Sequence, residues 1–488
     1  MKEPPPTEEP AQSPIARAMT ASHLALAAGA ILQMAFVAIL ARLLGQAEYG
    51  LFAAAAGMLR LATYVVDLGI GTLATRRGGT LGAPALAALF LAGLGAALAL
   101  AATMWIAAPS LAIWAEADAP TAVPLLRALA FGPAIAASGQ IATALLRHEL
   151  RFDVLARQSL GALALGQGTV AIPLALLGAG VWSLVAGALA QAAIASAIAW
   201  YAAPHPWRFG DARLPAPAIL TESGWFWALR VLDSAGFHAL APLTLVFAGA
   251  AQAGLWDRAL AISILPMELI AVASAQVLFP AYARAAADPA LIRRRWLAGL
   301  AAILTIHGAL AVLIWMTGPA LIALALGPAW AEAAAVFALL ALWGVLRGAS
   351  MANGGVSEAQ GVLKPRAALQ IAFLASVGLA LMVLRPDTAA EIALLVVVVD
   401  LPMQIVGLAI AARATGTAAG DIVRVVLSAV LAVALAAAFV WAGARLGNGA
   451  LGGLVGAALG IAAALWFHTH APLRQAARQW VASANPIR

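Results

Sequence analysis

Gly45-Gln-Ala-Glu-Tyr-Gly-Leu-Phe52 and Gly249-Ala-Ala-Gln-Ala-Gly-Leu-Trp256 spell one pattern, G-x-A-[E/Q]-x-G-L-aromatic, 204 residues apart. Alanine matches mean little in this alanine-rich chain, so the two glycines, the Glu/Gln position and the aromatic carry the repeat. Each copy joins two long apolar runs, and the offset crosses six such runs. An even number leaves both copies facing the same way, which predicts two parallel six-helix lobes related by an axis along the membrane normal. A fainter echo links Ala130-Phe-Gly132 with Leu342-Trp-Gly344.

Composition agrees with this membrane reading. Of 488 residues, 64% are hydrophobic and only 10% charged, with a mean hydropathy of +0.95. Soluble domains carry about 25% charged residues, so an ordinary cytosolic enzyme and a disordered chain are both excluded. A crossing helix needs about 20 mostly apolar residues. Such runs fall at 19–41, 49–73, 84–107, 122–146, 158–177, 180–202, 223–248, 254–283, 297–326, 331–358, 366–384, 389–412, 421–443 and 449–468. They are long and continuous, without the period-two alternation of a membrane barrel. The fold class expected is therefore an all-α polytopic membrane protein of about fourteen transmembrane helices. Its domains are an N-lobe at 1–203, a cytoplasmic linker at 204–220, a C-lobe at 221–412, and two appended helices with a tail at 413–488.

All but Lys2 and Lys364 of the 28 basic residues are arginine, and the net charge is +7. Basic excess in short loops marks the cytoplasmic side. With both termini inside, inner segments hold 20 basic residues and outer loops only Arg42, Arg385 and Arg445. A missed helix would invert every later loop, so this split supports the span count as well as the orientation. The basic balance thus reads as topology, and no nucleic-acid partner is expected. The Pro- and Glu-rich stretch before the first span lacks the basic start and cleavage site of a secretory signal, which suggests an uncleaved first helix. Absence of cysteine excludes disulfides and thiolate metal sites; no metal and no cofactor are expected.

Several spaced motifs resemble the multidrug/oligosaccharidyl-lipid/polysaccharide (MOP) flippase superfamily, in particular its Wzx-type polysaccharide and lipopolysaccharide exporters. They are Ala41-Arg-Leu-Leu-Gly45, Glu48-Tyr-Gly-Leu-Phe52, Asp67-Leu-Gly-Ile70, Val277-Leu-Phe-Pro-Ala-Tyr-Ala-Arg284, Leu326-Gly-Pro-Ala-Trp330, and Ala359-Gln-Gly361 before a basic turn. The likeness covers residues 19–412. It implies a lipid-diphosphate-linked oligosaccharide substrate, flipped from the cytoplasmic to the outer leaflet of a bacterial inner membrane. It also implies an ion gradient, H+ or Na+, as the driving force, with surrounding membrane lipids and polysaccharide polymerase or assembly proteins as partners.

Seven charges fall well inside spans: Arg60, Asp67, Arg230, Asp233, Glu268, Arg347 and Asp400. A charge in the membrane is costly and usually faces a cavity or a partner. Arg60, Tyr64 and Asp67 share one face of span two, and Arg230 and Asp233 stand at i, i+3 on span seven. One reading makes each a pair satisfied on its own helix. The other lets the arginines hold the diphosphate, since a planar donor fork binds phosphate bidentately. On span ten, Arg347, Ser350, Asn353 and Ser357 form a polar stripe, beside a break expected at Gly354-Gly355. The candidate binding set is therefore Arg60, Arg230, Arg347, Ser350 and Asn353. Glu268 and Asp400 lack a basic neighbour one turn away, and each has a proline two residues off. With Asp67 and Asp233 they are the ion-coupling candidates. A weaker stripe on span four, Gln140, Thr143 and Arg147, reads as interhelical hydrogen bonding.

Two spacings mislead. Gly69-Ile-Gly71-Thr-Leu-Ala74 mimics a dinucleotide fingerprint but follows no strand, and Gly452, Gly456 and Gly460 form a ridge for helix packing. A drug/ion antiporter of the same superfamily is the nearest alternative function. A membrane polymerase, ligase or glycosyltransferase would need acids on large outer loops, and the longest such loop, 108–121, holds only Glu116 and Asp118. Transport, not enzymatic chemistry, is the reading.

Overall fold

A computed structural model describes residues 14–67, 69–114, 119–206 and 216–446. The helices are α1 (Pro14–Leu43), α2 (Gln46–Val66), α3 (Ile70–Arg77), α4 (Ala83–Trp114), α5 (Ala119–Leu129), α6 (Gly132–His148), α7 (Phe152–Leu163), α8 (Ile172–Leu176) and α9 (Val181–Ala202). They continue as α10 (Ala216–His238), α11 (Leu240–Ala285), α12 (Pro289–Ala325), α13 (Ala333–Ala359), α14 (Leu363–Leu384), α15 (Ala389–Thr415) and α16 (Ala419–Leu446). No strand occurs among the described residues. Among the described residues, ten stretches are long and apolar enough to cross a membrane, or eleven counting α2 with α3 as one bent span. Every expected span but the last has its helix; the last, 449–468, lies outside the described residues, as do the Gly452 ridge, the Glu116 and Asp118 positions and most of the linker.

The breaks follow local chemistry. Gly69 adopts the left-handed region at φ 77° between α2 and α3, a conformation that glycine enters without steric cost. In α11, Gly249 at φ 84° and ψ 173° separates 240–248, the end of span seven, from 250–285, which is span eight. Span four is two helices, parted at Ala130-Phe131, where Pro133 follows. Its supposed counterpart, Leu342-Trp-Gly344, runs unbroken through α13, so that fainter echo is not carried into the structure. α13 also stays helical through Gly354-Gly355, where a break was expected. Span five contains a π-helical turn at Ala164–Ala171 between α7 and α8. There a side chain on Gly166 would collide with the backbone of Gln191, so α9 lies close to that turn.

The chain forms two compact units. One comprises 1–36, 65–108 and 123–224; within it α6 packs on α3 and α9, and α7 on α9. Its cores join Ile70, Leu73, Leu89 and Ile141, and Leu146 with Val154 and Ala199. The other comprises 37–64, 109–122 and 225–488. There α13 lies at the centre, against α11, α12 and α15, with Trp296, Leu300, Ile303, Ala352 and Val356 buried around it. Within this second unit the two copies of the repeated motif meet. Ala54 of α2 packs with Leu245 and Ala253 of α11.

Candidate functional site

The polar stripe of α13 is turned inward because helices surround α13 on several sides. Asn353 is only 4% exposed. Its carbonyl oxygen Oδ1 accepts from Trp296 Nε1 at 3.2 Å, while its amide nitrogen Nδ2 has no partner among the described residues. Ser357 Oγ donates to the Asn353 main-chain carbonyl at 2.7 Å. Asn353, Ser350, Ser357, Arg366, Gln370 and Gln404 line a cavity of roughly 380 Å³ of empty space, part of it open to the surroundings. A buried amide donor that faces a cavity is a site for a ligand acceptor or a water.

One wall of this cavity is ionic. Arg366, at the start of α14, donates through Nη2 to Asp233 Oδ2 at 3.0 Å and through Nη1 to Glu358 Oε1. Gly354 makes room for it: a Cβ there would stand 2.8 Å from the guanidinium carbon. The Gly354 position therefore serves a close approach between helices, not a break. Arg366, at the cytoplasmic edge of its expected span, is a partly buried bridge from α14 to α10 and α13. Nothing in one helix's periodicity reveals this, although acid and base do flank the turn at Gln360 and Gly361.

Asp400 on α15 forms the opposite kind of centre. It is 3% exposed, and its carboxylate accepts from Trp343 Nε1 at 3.0 Å and from Gln404 Nε2 at 2.7 Å. Both donors are neutral. The Arg347 guanidinium lies 5.9 Å from the Trp343 ring centroid, within cation–π reach. Trp343 in turn stacks on Phe237 at 5.9 Å and 17°. Beside Phe237, His238 stacks on Tyr64 of α2 at 6.1 Å and 16°, and Trp227 Nε1 donates to the Tyr64 carbonyl at 3.0 Å. One aromatic chain thus links α2, α10 and α13, the three helices that bear Arg60, Arg230 and Arg347.

The same-helix pairs allowed by spacing do not form. Asp233 goes to Arg366, and Asp67 Oδ1 accepts from Gln140 Nε2 of α6. Arg60 and Arg230 are exposed and have no ion-pair partner among the described residues. Gln140 and Thr143 are spent on interhelical bonds, the latter accepting from Gln158 Nε2 at 3.0 Å. Asp233, Arg347, Ser350, Asn353 and Asp400 come together around α13. Arg60 and Arg230 lie on helices that the aromatic chain joins, Asp67 lies in the other unit, and the Glu268 side chain lies outside the described residues. Among the described residues no cluster of His, Cys, Asp or Glu could hold a metal ion. Sequence reading missed Arg366, Glu358, Gln404 and Trp343.

The described residues form an all-helical bundle with apolar spans, in which polar and charged side chains gather around one central helix, α13. Residues 39–335, more than half of the chain, match the model of a family described as polysaccharide biosynthesis protein, and the chain belongs to that family. Among solved structures it is similar to a lipid II flippase, MurJ, in an inward closed conformation, with a TM-score of 0.70 at 12% identity, over 93% of this chain and 99% of that one. It is also similar to an inward-facing multidrug resistance MATE transporter of the MOP superfamily, with a TM-score of 0.61 at 18% identity, over 80% of this chain and 96% of the other. A MOP superfamily transporter from Pyrococcus furiosus, described as having a binding pocket of reverse polarity, gives a TM-score of 0.60 at 18% identity, over 82% of this chain and 96% of that one. These likenesses establish the MOP transporter fold. No curated protein matches the sequence.

Proposed function

We propose that this protein flips lipid-diphosphate-linked oligosaccharide or polysaccharide repeat units across a bacterial inner membrane by alternating access. Both termini lie in the cytoplasm in this reading, as the 20-to-3 split of basic residues favours. Family membership in polysaccharide biosynthesis supports this class of cargo, as does the naming of a protein of the same fold as a lipid II flippase.

The observation that carries the reading is the state of Arg60 and Arg230. Each has an acid within two turns along the chain, Asp67 just past the end of α2 and Asp233 on α10, yet that acid is engaged elsewhere and the arginine stays exposed and unpaired among the described residues. An arginine held without a partner inside a membrane protein is supported by a polar path or an anionic ligand. A diphosphate suits the guanidinium fork, and Arg347 with Ser350 and Asn353 continues the donor surface toward the sugars. The lipid tail stays in the bilayer throughout.

Coupling to H+ or Na+ is assigned first to Asp400. It is held by neutral donors, so a change in its charge breaks no ion pair. Asp67, with a neutral amide partner, is second, and Glu268 is retained from its sequence position alone. Asp233, bound to Arg366, fits a fixed structural charge. Polysaccharide polymerase or assembly proteins would receive the exported units.

Replacing Arg60, Arg230 and Arg347 singly by alanine, with protein levels matched, should lower export of surface polysaccharide in each case. Full export by all three would remove the site assignment. A rise in drug sensitivity instead of a polysaccharide defect would point to a drug/ion antiporter.

A further inference from the structure

Gly50 and Gly254, equivalent positions in the repeated motif, touch backbone to backbone where α2 crosses α11. A Cβ on Gly50 would land on the Ala250 carbonyl oxygen, and a Cβ on Gly254 on the Gln46 carbonyl oxygen. Ala250 and Gln46 are themselves equivalent positions, so the contact is reciprocal, the signature of a two-fold interface. The seam below it is also small: Ala53, Ala54 and Ala253 are buried, and a Cβ on Gly57 would come within 2.7 Å of the His238 carbonyl. Small residues let membrane helices approach closely.

Around the crossing, longer side chains fasten the same ends. Arg258, ion-paired to Asp257, lies over the Tyr49 ring at 4.1 Å. Tyr49 meets Trp330 edge-on at 5.8 Å. Trp330 Nε1 donates to the Ala41 carbonyl at 2.9 Å, Gln46 Nε2 to the Ala329 carbonyl, and Arg42 Nη2 to the Leu324 carbonyl. Each of these bonds joins a residue of α1 or α2, early in the chain, to one of α11, α12 or the turn before α13, late in it. Gly50 and Gly254 of the motif, with Tyr49 and Gln46 beside them, are thereby engaged in one fastening.

We propose that the duplicated motif is the outer gate of the transporter, a latch that closes by the Gly50–Gly254 crossing and opens by its separation. The assignment to the outer side rests on the topology proposed above. Atoms met by an added Cβ are backbone and cannot rotate away, so bulk at either glycine favours the parted state. Loss of the Tyr49 ring weakens the fastening without adding bulk.

The chain has no cysteine, so a single introduced thiol reports alone. Ala54, 1% exposed beside the crossing, is replaced by cysteine, and labelling by a charged, membrane-impermeant maleimide is measured in intact cells. Adding Gly254→Leu should raise labelling of A54C severalfold over the parent, and adding Tyr49→Leu should raise it less. Equal labelling in the parent and in G254L, with G254L recovered as folded protein, would overturn the latch. Should G254L not fold, Y49L decides in the same way. Arg385→Cys tests the sidedness separately: labelling in cells places that loop outside. If R385C stays unlabelled in cells, the topology is wrong, and the same comparison in inside-out vesicles then decides whether the crossing opens.

Discussion

Asp233 and Asp400 are both acids within the second compact unit, yet their surroundings differ in kind. Asp233 shares Arg366 with Glu358, so two acids and one base form a bridge between three helices. Asp400 is more deeply buried and accepts its hydrogen bonds from an indole and an amide, with no ion pair to Arg347 among the described residues. The first arrangement fixes charge in place. The second satisfies a carboxylate while leaving its charge free to change. That difference separates scaffold from coupling candidate, although both acids looked alike as buried charges in the sequence.

Breaking the scaffold should cost most. Arg366→Gln leaves Asp233 and Glu358 without their counter-charge and loses two charged hydrogen bonds at a partly buried site, each worth about 1.5–3 kcal/mol. A thermal shift in detergent should show a large loss, largely recovered when Asp233→Asn and Glu358→Gln are added. If R366Q were as stable as the parent, the bridge would not be structural.

Next come the unpaired arginines, which sharpen the contrast from the other side. R60A and R230A each remove a charged hydrogen-bond donor worth about 1.5–3 kcal/mol, or roughly tenfold to a hundredfold in binding of a lipid-diphosphate saccharide. Stability should change by no more than about 0.5 kcal/mol, as for surface substitutions without special contacts. Equilibrium binding and thermal unfolding of the same preparations would check both halves. A stability loss without a binding loss would make these arginines structural.

Asp400→Asn should give a smaller stability change, about 1–2 kcal/mol, because one of the two donors then meets an amide nitrogen in place of an oxygen. Its larger signature is functional: transport driven by an imposed ion gradient should lose its dependence on that gradient. Retained dependence in D400N would move the coupling role to Asp67 or Glu268. Smallest of all is Gln140→Leu, expected to cost about 1 kcal/mol or less in the unfolding midpoint. Asp67 is only half-buried, so water can replace the lost amide.

The helices were legible because bilayer thickness fixes the length of an apolar run, and the Gly249 turn because the motif places a glycine between two such runs. The stripe on α13 was legible too, since Ser350, Asn353 and Ser357 recur at helical spacing. Partner choice was not. Spacing of i, i+3 shows what one helix permits, as with Arg230 and Asp233, but the winning partner, Arg366, comes from 133 residues away. Gly354 was misread for a related reason. A glycine pair reads as a helix break locally, while its use here, room for a guanidinium from α14, is a tertiary fact. The repeat was visible as a motif, but its reciprocal crossing required coordinates.

Everything proposed for the site depends on the cargo. Deleting the gene and measuring lipid-linked saccharide inside the cell together with polysaccharide at the surface checks that cargo. A flippase for lipid-linked saccharide should leave lipid-linked units accumulated in the inner leaflet and the surface polymer lost, both reversed by the intact chain. Unchanged polysaccharide accompanied by raised drug sensitivity would contradict it.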